Sequence, residues 1–282
     1  MNFSRPVLKI IDERRSFRSF TDEPLDESRG VDLLAFVAAL PRPPFGSSVK
    51  ITLLRAFDAA ARGIKLGTYG VIKGARNFLV GAVADDSTDA LIDFGFLFES
   101  AVLKATDLGL GTCWLGGTFS RSAFAEAVQL DPGQVIPAVS PVGVPLERRS
   151  LVDRAFRAFA GSDGRKPFGE LFFNGDFDLP LTEAKAGPFG PILLGVRRAP
   201  SASNKQPWRI VRESDGTAFH FFLKRSVGYR RLPVDLQVVD MGIAMSHFDL
   251  AAREANHAGR WERLSVRVPA GSLEYMASWV AS

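Results

Sequence analysis

Cysteine is almost absent: among 282 residues there is one, Cys113. No disulfide can form within the chain, and that usage suits a reducing compartment. Histidine is nearly as scarce, with three. Three histidines and one thiol leave too few soft ligands for structural zinc, and no metal is expected. No uninterrupted apolar run approaches the ~20 residues of a membrane-spanning helix. The stretch from Met1 to Arg15 carries charge throughout and does not read as a signal peptide. Dense runs of lysine and arginine are also missing. The 35 basic and 31 acidic residues leave a net charge of +4 that is dispersed. That argues against nucleic acid and for local basic pockets receiving anionic ligands. No Ser/His/Asp or Cys/His arrangement suggests nucleophilic catalysis. No Gly-x-Gly-x-x-Gly loop follows a candidate strand, as a dinucleotide would need. With 46% hydrophobic and 23% charged residues, the composition is globular, and a soluble cytoplasmic protein is expected.

Two short stretches carry the chemistry. Glu13-Arg14-Arg15-Ser16-Phe17-Arg18-Ser19-Phe20 puts three arginines and a serine within five residues, between apolar anchors. Guanidinium forks with a neutral hydroxyl donor make a phosphate grip, or else a solvated basic helix end. Arg198-Ala199-Pro200-Ser201-Ala202-Ser203-Asn204-Lys205-Gln206-Pro207-Trp208 is a tight loop feeding a strand, because Pro207 disfavours helix at Gln206. Its amides, hydroxyls and carboxamide can meet a planar polar ligand, or can simply bond their own backbone.

Between these lie recognisable elements. A helix starts at Pro24-Leu25-Asp26-Glu27 and runs through Val31, Leu34, Val37 and Ala38; Pro41, Pro43, Pro44 and Gly46 end it. Strands are expected over 49–57, 78–83 and 135–144, with a helix capped by Ser120 and running to Val128. The helix expected over 92–108 is apolar nearly all round and therefore central. After it, Gly109-Leu110-Gly111-Thr112-Cys113-Trp114-Leu115-Gly116-Gly117 allows a ligand to approach the backbone closely. Cys113 reads as packing. Arg148 and Arg149 follow the 135–144 strand.

The second half repeats the first. Asp93, Gly95, Leu103, Ala105 and Trp114 recur as Asp240, Gly242, Leu250, Ala252 and Trp261, at one separation of 147 residues (240 − 93). Phe20…Pro24-Leu25-x-Glu27 returns as Phe177…Pro180-Leu181-x-Glu183, and the strand at Ile51 to Leu54 matches Trp208 to Val211. The copies differ in a complementary way. Leu171 to Gly175 stands where the arginine cluster would be, Glu262-Arg263-Leu264 follows Trp261, and Pro43 to Ser48 lacks the Asn of the Ser201–Asn204 loop.

The Arg-Arg-Ser-x-Arg string and the Pro-Ser-Ala-Ser-Asn-Lys loop resemble the signatures of the FMN-dependent nitroreductase family. The duplication resembles its tandem, pseudo-dimeric branch. The resemblance implies an α+β fold with central buried helices and mixed or antiparallel sheets. Residues 1–155 would form the first half, carrying the phosphate clamp and glycine loop, and 156–282 the second, carrying the Ser/Asn loop. It implies FMN held by Arg14, Arg15, Ser16 and Arg18 with Arg148 and Arg149, its N5 facing the Gly116–Gly117 backbone. Pro200, Ser201, Ala202, Ser203, Asn204 and Lys205 would cover the ring, and Lys205 or Lys73 would stabilise reduced flavin. NAD(P)H would donate electrons and a nitroaromatic or quinone accept them, with no catalytic side chain and no partner chain. The alternatives are an FMN binder without turnover, or other flavin chemistry such as dehalogenation or flavin fragmentation.

Overall fold

One order of elements runs through the chain twice. The computed structural model describes residues 2–146, 164–226 and 233–282. The first half contains α1 (Val7–Glu13), α2 (Glu27–Ala38), β1 (Val49–Arg55), α3 (Ala56–Ala61), β2 (Asn77–Val83), α4 (Thr88–Asp107), β3 (Gly111–Thr112), α5 (Arg121–Ala127) and β4 (Val139–Gly143). The second contains α6 (Phe168–Leu171), β5 (Phe172–Asn174), β6 (Asp176–Pro180), a 3₁₀ segment (Ala184–Phe189), α7 (Gly190–Arg197), a 3₁₀ turn (Ala202–Asn204), β7 (Trp208–Arg212), β8 (Ala218–Leu223), α8 (Leu236–Glu254), β9 (Gly259–Glu262) and β10 (Glu274–Ala281).

The sheets state the duplication directly. The first has the order β1-β2-β4-β3, and the second contains β7-β8-β10-β9 with β5 and β6 added at the β7 edge. β5 pairs parallel to β7, Phe172 opposite Ile210, and every other pairing within the two sheets is antiparallel. The stretch aligned with the arginine cluster is therefore a sheet strand in the second half, with Phe172 fully enclosed.

Helices α4 and α8 form the centre. α4 starts where the Ser87 side chain accepts from Ala90 N, and α8 where Asp235 accepts from Gln237 N and Val238 N. Every residue from Ala90 to Ala105 and from Leu236 to Ala252 is buried, as helices with no polar face must be. They cross at Gly95 and Gly242. A Cβ on Gly95 would lie 2.3 Å from Val239 O, and one on Gly242 would lie 2.1 Å from Ile92 O. Only glycine permits that approach. The crossing sits on a local twofold: Glu99 meets His247, and the equivalent pair, Ser246 and Ser100, meets at 3.1 Å. α1 packs over Leu103 and its repeat partner Leu250.

Three expectations need adjustment. The strand expected to reach Phe57 stops at Arg55, because Ala56, Ala59, Ala60 and Ala61 favour the helix α3. β4 begins only at Val139, and Val135 makes one isolated bridge to Val83. Ser120 precedes α5 but makes no side-chain cap; its Oγ lies 3.5 Å from Ser122 Oγ.

Candidate functional site

The arm after α1 is held against the first half by its backbone. Phe17 N donates to Thr112 O at 2.8 Å, Lys73 N to Arg18 O at 2.8 Å, and Phe20 N to Lys73 O at 3.0 Å. Phe17 packs on Gly111, where a Cβ would come within 3.1 Å of its ring. Arg14, Arg15, Ser16 and Arg18 all line one cavity of about 290 Å³, at the small end for a ligand site. Ile11, Cys113, Trp114, Gly116 and Ala138 complete the first half's share among the described residues. The second half contributes Arg165, Arg198, the 200–204 loop and one stripe of α8, from Leu236 through Asp240 to Ile243.

That loop is strained and over-determined. Ser203, Asn204 and Gln206 have φ of 46°, 54° and 48°, in the left-handed region that side chains resist at about 1–2 kcal/mol each. Several bonds hold it there. Both Asp240 carboxylate oxygens accept from Ala202 N, at 3.0 and 3.1 Å, and Ser201 Oγ accepts from Gln206 N at 2.9 Å. Buried Gln206 accepts from Lys166 N at 2.9 Å and donates to Gly164 O at 3.2 Å. Asn204 donates to Gly164 O at 2.7 Å and accepts from Arg165 Nη1. The Asn204 carboxamide is thus engaged in placing Arg165 on the cavity wall.

The electrostatics call for an anion. Burial, then the charges of Arg14, Arg198, Arg197 and Arg15, push the Arg165 guanidinium down to about 10. Arg15 and Arg165 have no carboxylate partner among the described residues. Arg198 is 3.1 Å from Asp12, and Arg14 Nε is 3.9 Å from Glu99 Oε1. Arg14 is only 6% exposed, and its Nε has no hydrogen-bond partner among the described residues. Burial lowers its pKa, with Glu99 opposing. Glu99 itself, wholly enclosed, accepts from Trp114 Nε1 at 2.7 Å and faces His247 Nε2 at 2.9 Å. Trp114 and Arg14 are thereby tied to the central helices.

Asp240, the one acid lining the cavity among the described residues, is held well above the usual carboxylate range, chiefly by burial. An acid whose pKa is raised on folding costs stability as pH climbs through the unfolded value near 4 toward the folded one, at about 1.4 kcal/mol per pH unit. Asp240→Asn keeps one acceptor for Ala202 N and removes the charge. Its melting temperature is expected to match the parent's below pH 4 and to exceed it increasingly as pH rises from there toward the folded value. A constant offset across that range would mean that Asp240 does not titrate between the two states.

The pseudo-equivalent location is filled. Asp93 accepts from Phe45 N at 3.0 Å as Asp240 does from Ala202 N, so Phe45 occupies the place of Ala202. By the repeat spacing Arg263 takes the place of Gly116, and Asp89 that of Leu236. These three residues meet. The Arg263 guanidinium lies 4.4 Å from the Phe45 ring centre and 2.5 Å from Asp89 Oδ1.

Of the residues singled out in the sequence, Arg14, Arg15, Ser16, Arg18, Gly116, Pro200, Ser201, Ala202, Ser203 and Asn204 share the one cavity. Gly117, Lys205 and Lys73 do not line it, and Lys205 and Lys73 are exposed. Arg148 and Arg149 lie outside the described residues. Arg165, Arg198 and Trp114 escaped the sequence reading as site residues. Asp240 was visible there only as a repeat marker.

One Ser/His/acid set does form, though not for nucleophilic catalysis. Ser278 Oγ lies 2.7 Å from His220 Nδ1, and His220 Nε2 lies 2.9 Å from Glu213 Oε1. Ser278 is fully enclosed within β10 and also bonds Tyr275 OH at 2.7 Å. No substrate can reach it, so the set braces β8 against β10.

No helix among the described residues is long and apolar enough to cross a membrane. A family model described as "Putative TM nitroreductase" matches residues 6–252. The fold is similar to that of a crystal structure of a putative nitroreductase from Thermotoga maritima, at 20% identity and a TM-score of 0.63. That match covers 99% of this chain and 95% of the other. A nitroreductase family protein from Clostridium novyi matches at 21% identity and a TM-score of 0.41, over 52% of this chain and 87% of its own. A putative nitroreductase from Desulfovibrio desulfuricans, solved in complex with FMN, matches at 24% identity and 0.40, over 54% and 95%. None of the curated proteins matches.

Proposed function

The chain belongs to the putative TM nitroreductase family, and from that premise we propose an FMN-dependent oxidoreductase with a single flavin site between its two halves. The observation that carries the reading is the cavity itself. It is walled by both halves and lined, among the described residues, by five arginines, one with a buried Nε that has no partner among them and another pushed down to about 10 by burial among like charges. A dianionic phosphate satisfies those groups. Bound there, FMN would take electrons from NAD(P)H and pass them to a nitroaromatic or quinone acceptor.

The protein's own work is binding and orientation. Arg15, Ser16, Arg18 and Arg165 hold the phosphate, and Arg14, backed by Glu99, contributes fixed positive potential. Arg148 and Arg149 are kept in the proposal as further phosphate ligands. The 200–204 loop and Trp114 enclose the ring, and the Gly116–Gly117 backbone leaves room for it. Leu236, Val239 and Ile243 exclude water from its face. Pro200, Ala202 and Asp240 fix the loop geometry, and Lys205 is kept in the proposal as a cation next to that loop. Since one chain supplies both walls, a monomer suffices. The division at 155/156 lies in the undescribed segment 147–163.

Titration of the purified chain with FMN is expected to saturate at one flavin per chain, with FAD not retained. Arg18→Ala should weaken FMN binding at least tenfold, since a charge-assisted contact contributes roughly 1.5–3 kcal/mol. Two equivalent sites, or an unchanged dissociation constant in Arg18→Ala, would count against the composite site. Bleaching of the bound flavin by NADH or NADPH tests the donor.

A further inference from the structure

Arg121, the first residue of α5, has no place in the binding scheme above, yet it is built against the site. Its Nη2 donates to Gly116 O at 2.6 Å and to Pro137 O at 3.2 Å, and its Nε donates to Ile136 O at 3.3 Å. The guanidinium lies 4.7 Å from the centre of the Phe119 ring. Three backbone carbonyls and an aromatic face therefore hold a cation that has no carboxylate partner among the described residues. Burial lowers its pKa.

Gly116 is a cavity-lining residue and Arg121 is not, so the guanidinium grips the peptide after Gly116 from outside. No peptide bond among the described residues is cis. In a trans peptide the carbonyl and the amide point in opposite directions, so the Gly117 N–H faces away from Arg121. A hydrogen bond from a charged donor to the carbonyl also polarises that peptide and strengthens its N–H as a donor.

We propose that Arg121 is a positioning residue that orients the Gly116–Gly117 peptide toward the bound ring and favours the reduced form of the flavin. The proposal rests on the FMN reading above. Two-electron reduction with uptake of one proton leaves the ring with one negative charge. A fixed cation behind a donor peptide stabilises that charge more than it stabilises the neutral oxidised ring. The aromatic partner and the three carbonyls leave the side chain little freedom, so no reorganisation is needed when the charge appears.

The test separates redox states. FMN affinity is measured for the oxidised flavin by fluorescence titration, and the two-electron potential of the complex by dithionite reduction against a reference dye. In Arg121→Met the oxidised flavin should bind within about twofold of the parent. Reduced flavin should bind about tenfold more weakly, which is about 30 mV lower in potential. Arg121→Gln keeps donors for the carbonyls and loses the charge, and should show the same shift even if the Met variant folds poorly. Equal losses for both redox states, or a potential unchanged in both variants, would reduce Arg121 to a structural clip and overturn the proposal. A parent chain that takes up no FMN would overturn the flavin reading as well, which the oxidised titration detects first.

Discussion

FMN binding is expected to disappear, with a dissociation constant beyond about 1 mM, when the filled half is copied into the open one as Gly116→Arg/Ala202→Phe/Leu236→Asp. The second location already holds this trio as Arg263, Phe45 and Asp89, stacked at 4.4 Å and ion-paired at 2.5 Å. The substitutions therefore bring a packing arrangement that the protein itself accommodates. A Cβ on Gly116 would approach Leu236 Cδ1 at 2.5 Å, and removing Leu236 relieves that clash. The arginines remain, so any loss reports the space for the ring and not the phosphate grip. Thermal melting should show the fold retained. Retention of FMN at parental affinity would mean that the ring does not lie against Gly116 and Ala202.

Gly242→Ala is expected to be destabilising by about 1–3 kcal/mol or more, against the intrinsic helix preference for alanine of nearly 1 kcal/mol. The added methyl would sit 2.1 Å from Ile92 O and 2.9 Å from Phe96 N, both backbone atoms of α4 with no rotamer to escape through. The two central helices must separate. Leu236, Val239, Asp240 and Ile243 ride on the same helix, so FMN affinity should fall together with stability. Gly30→Ala in α2 is the control, because its nearest neighbour is Leu25 Cδ2 at 3.7 Å and the propensity gain stands alone. A urea midpoint raised in both variants would show that the helix crossing has slack.

Both expectations draw on the repeat, and the repeat was readable without coordinates. The spacing that joins Asp93 to Asp240 and Gly95 to Gly242 marked two copies of one unit. The all-round apolar character of residues 92–108 marked a central helix. The arginine string and the Ser201–Asn204 loop were each legible as a candidate anion or polar-ligand site, beside a solvated helix end and a self-bonded turn, because guanidinium clusters and short polar loops are local properties of adjacent residues. The complementary losses between the copies already argued for one site.

Other features became visible only in three dimensions. Arg165 lies far along the chain from Arg18, and nothing in its neighbourhood distinguishes it from Lys166; Asn204 and Gln206 bring it to the wall. Sequence suggested that the Asn204 carboxamide would read the ring, whereas folding engages it with Gly164 and Arg165. Glu99 and His247 carry no motif, yet the α4–α8 crossing places them 2.9 Å apart at the floor beneath Trp114. The duplication, the central helices and the residue types of the anion grip were legible in the chain, since periodicity and short-range composition report burial and local geometry. Which cations share the cavity, which polar side chains are already engaged and what fills the second location emerge from the folded arrangement. Those depend on the angle and closeness at which α4 and α8 cross, and two glycines 147 residues apart (242 − 95) set that closeness.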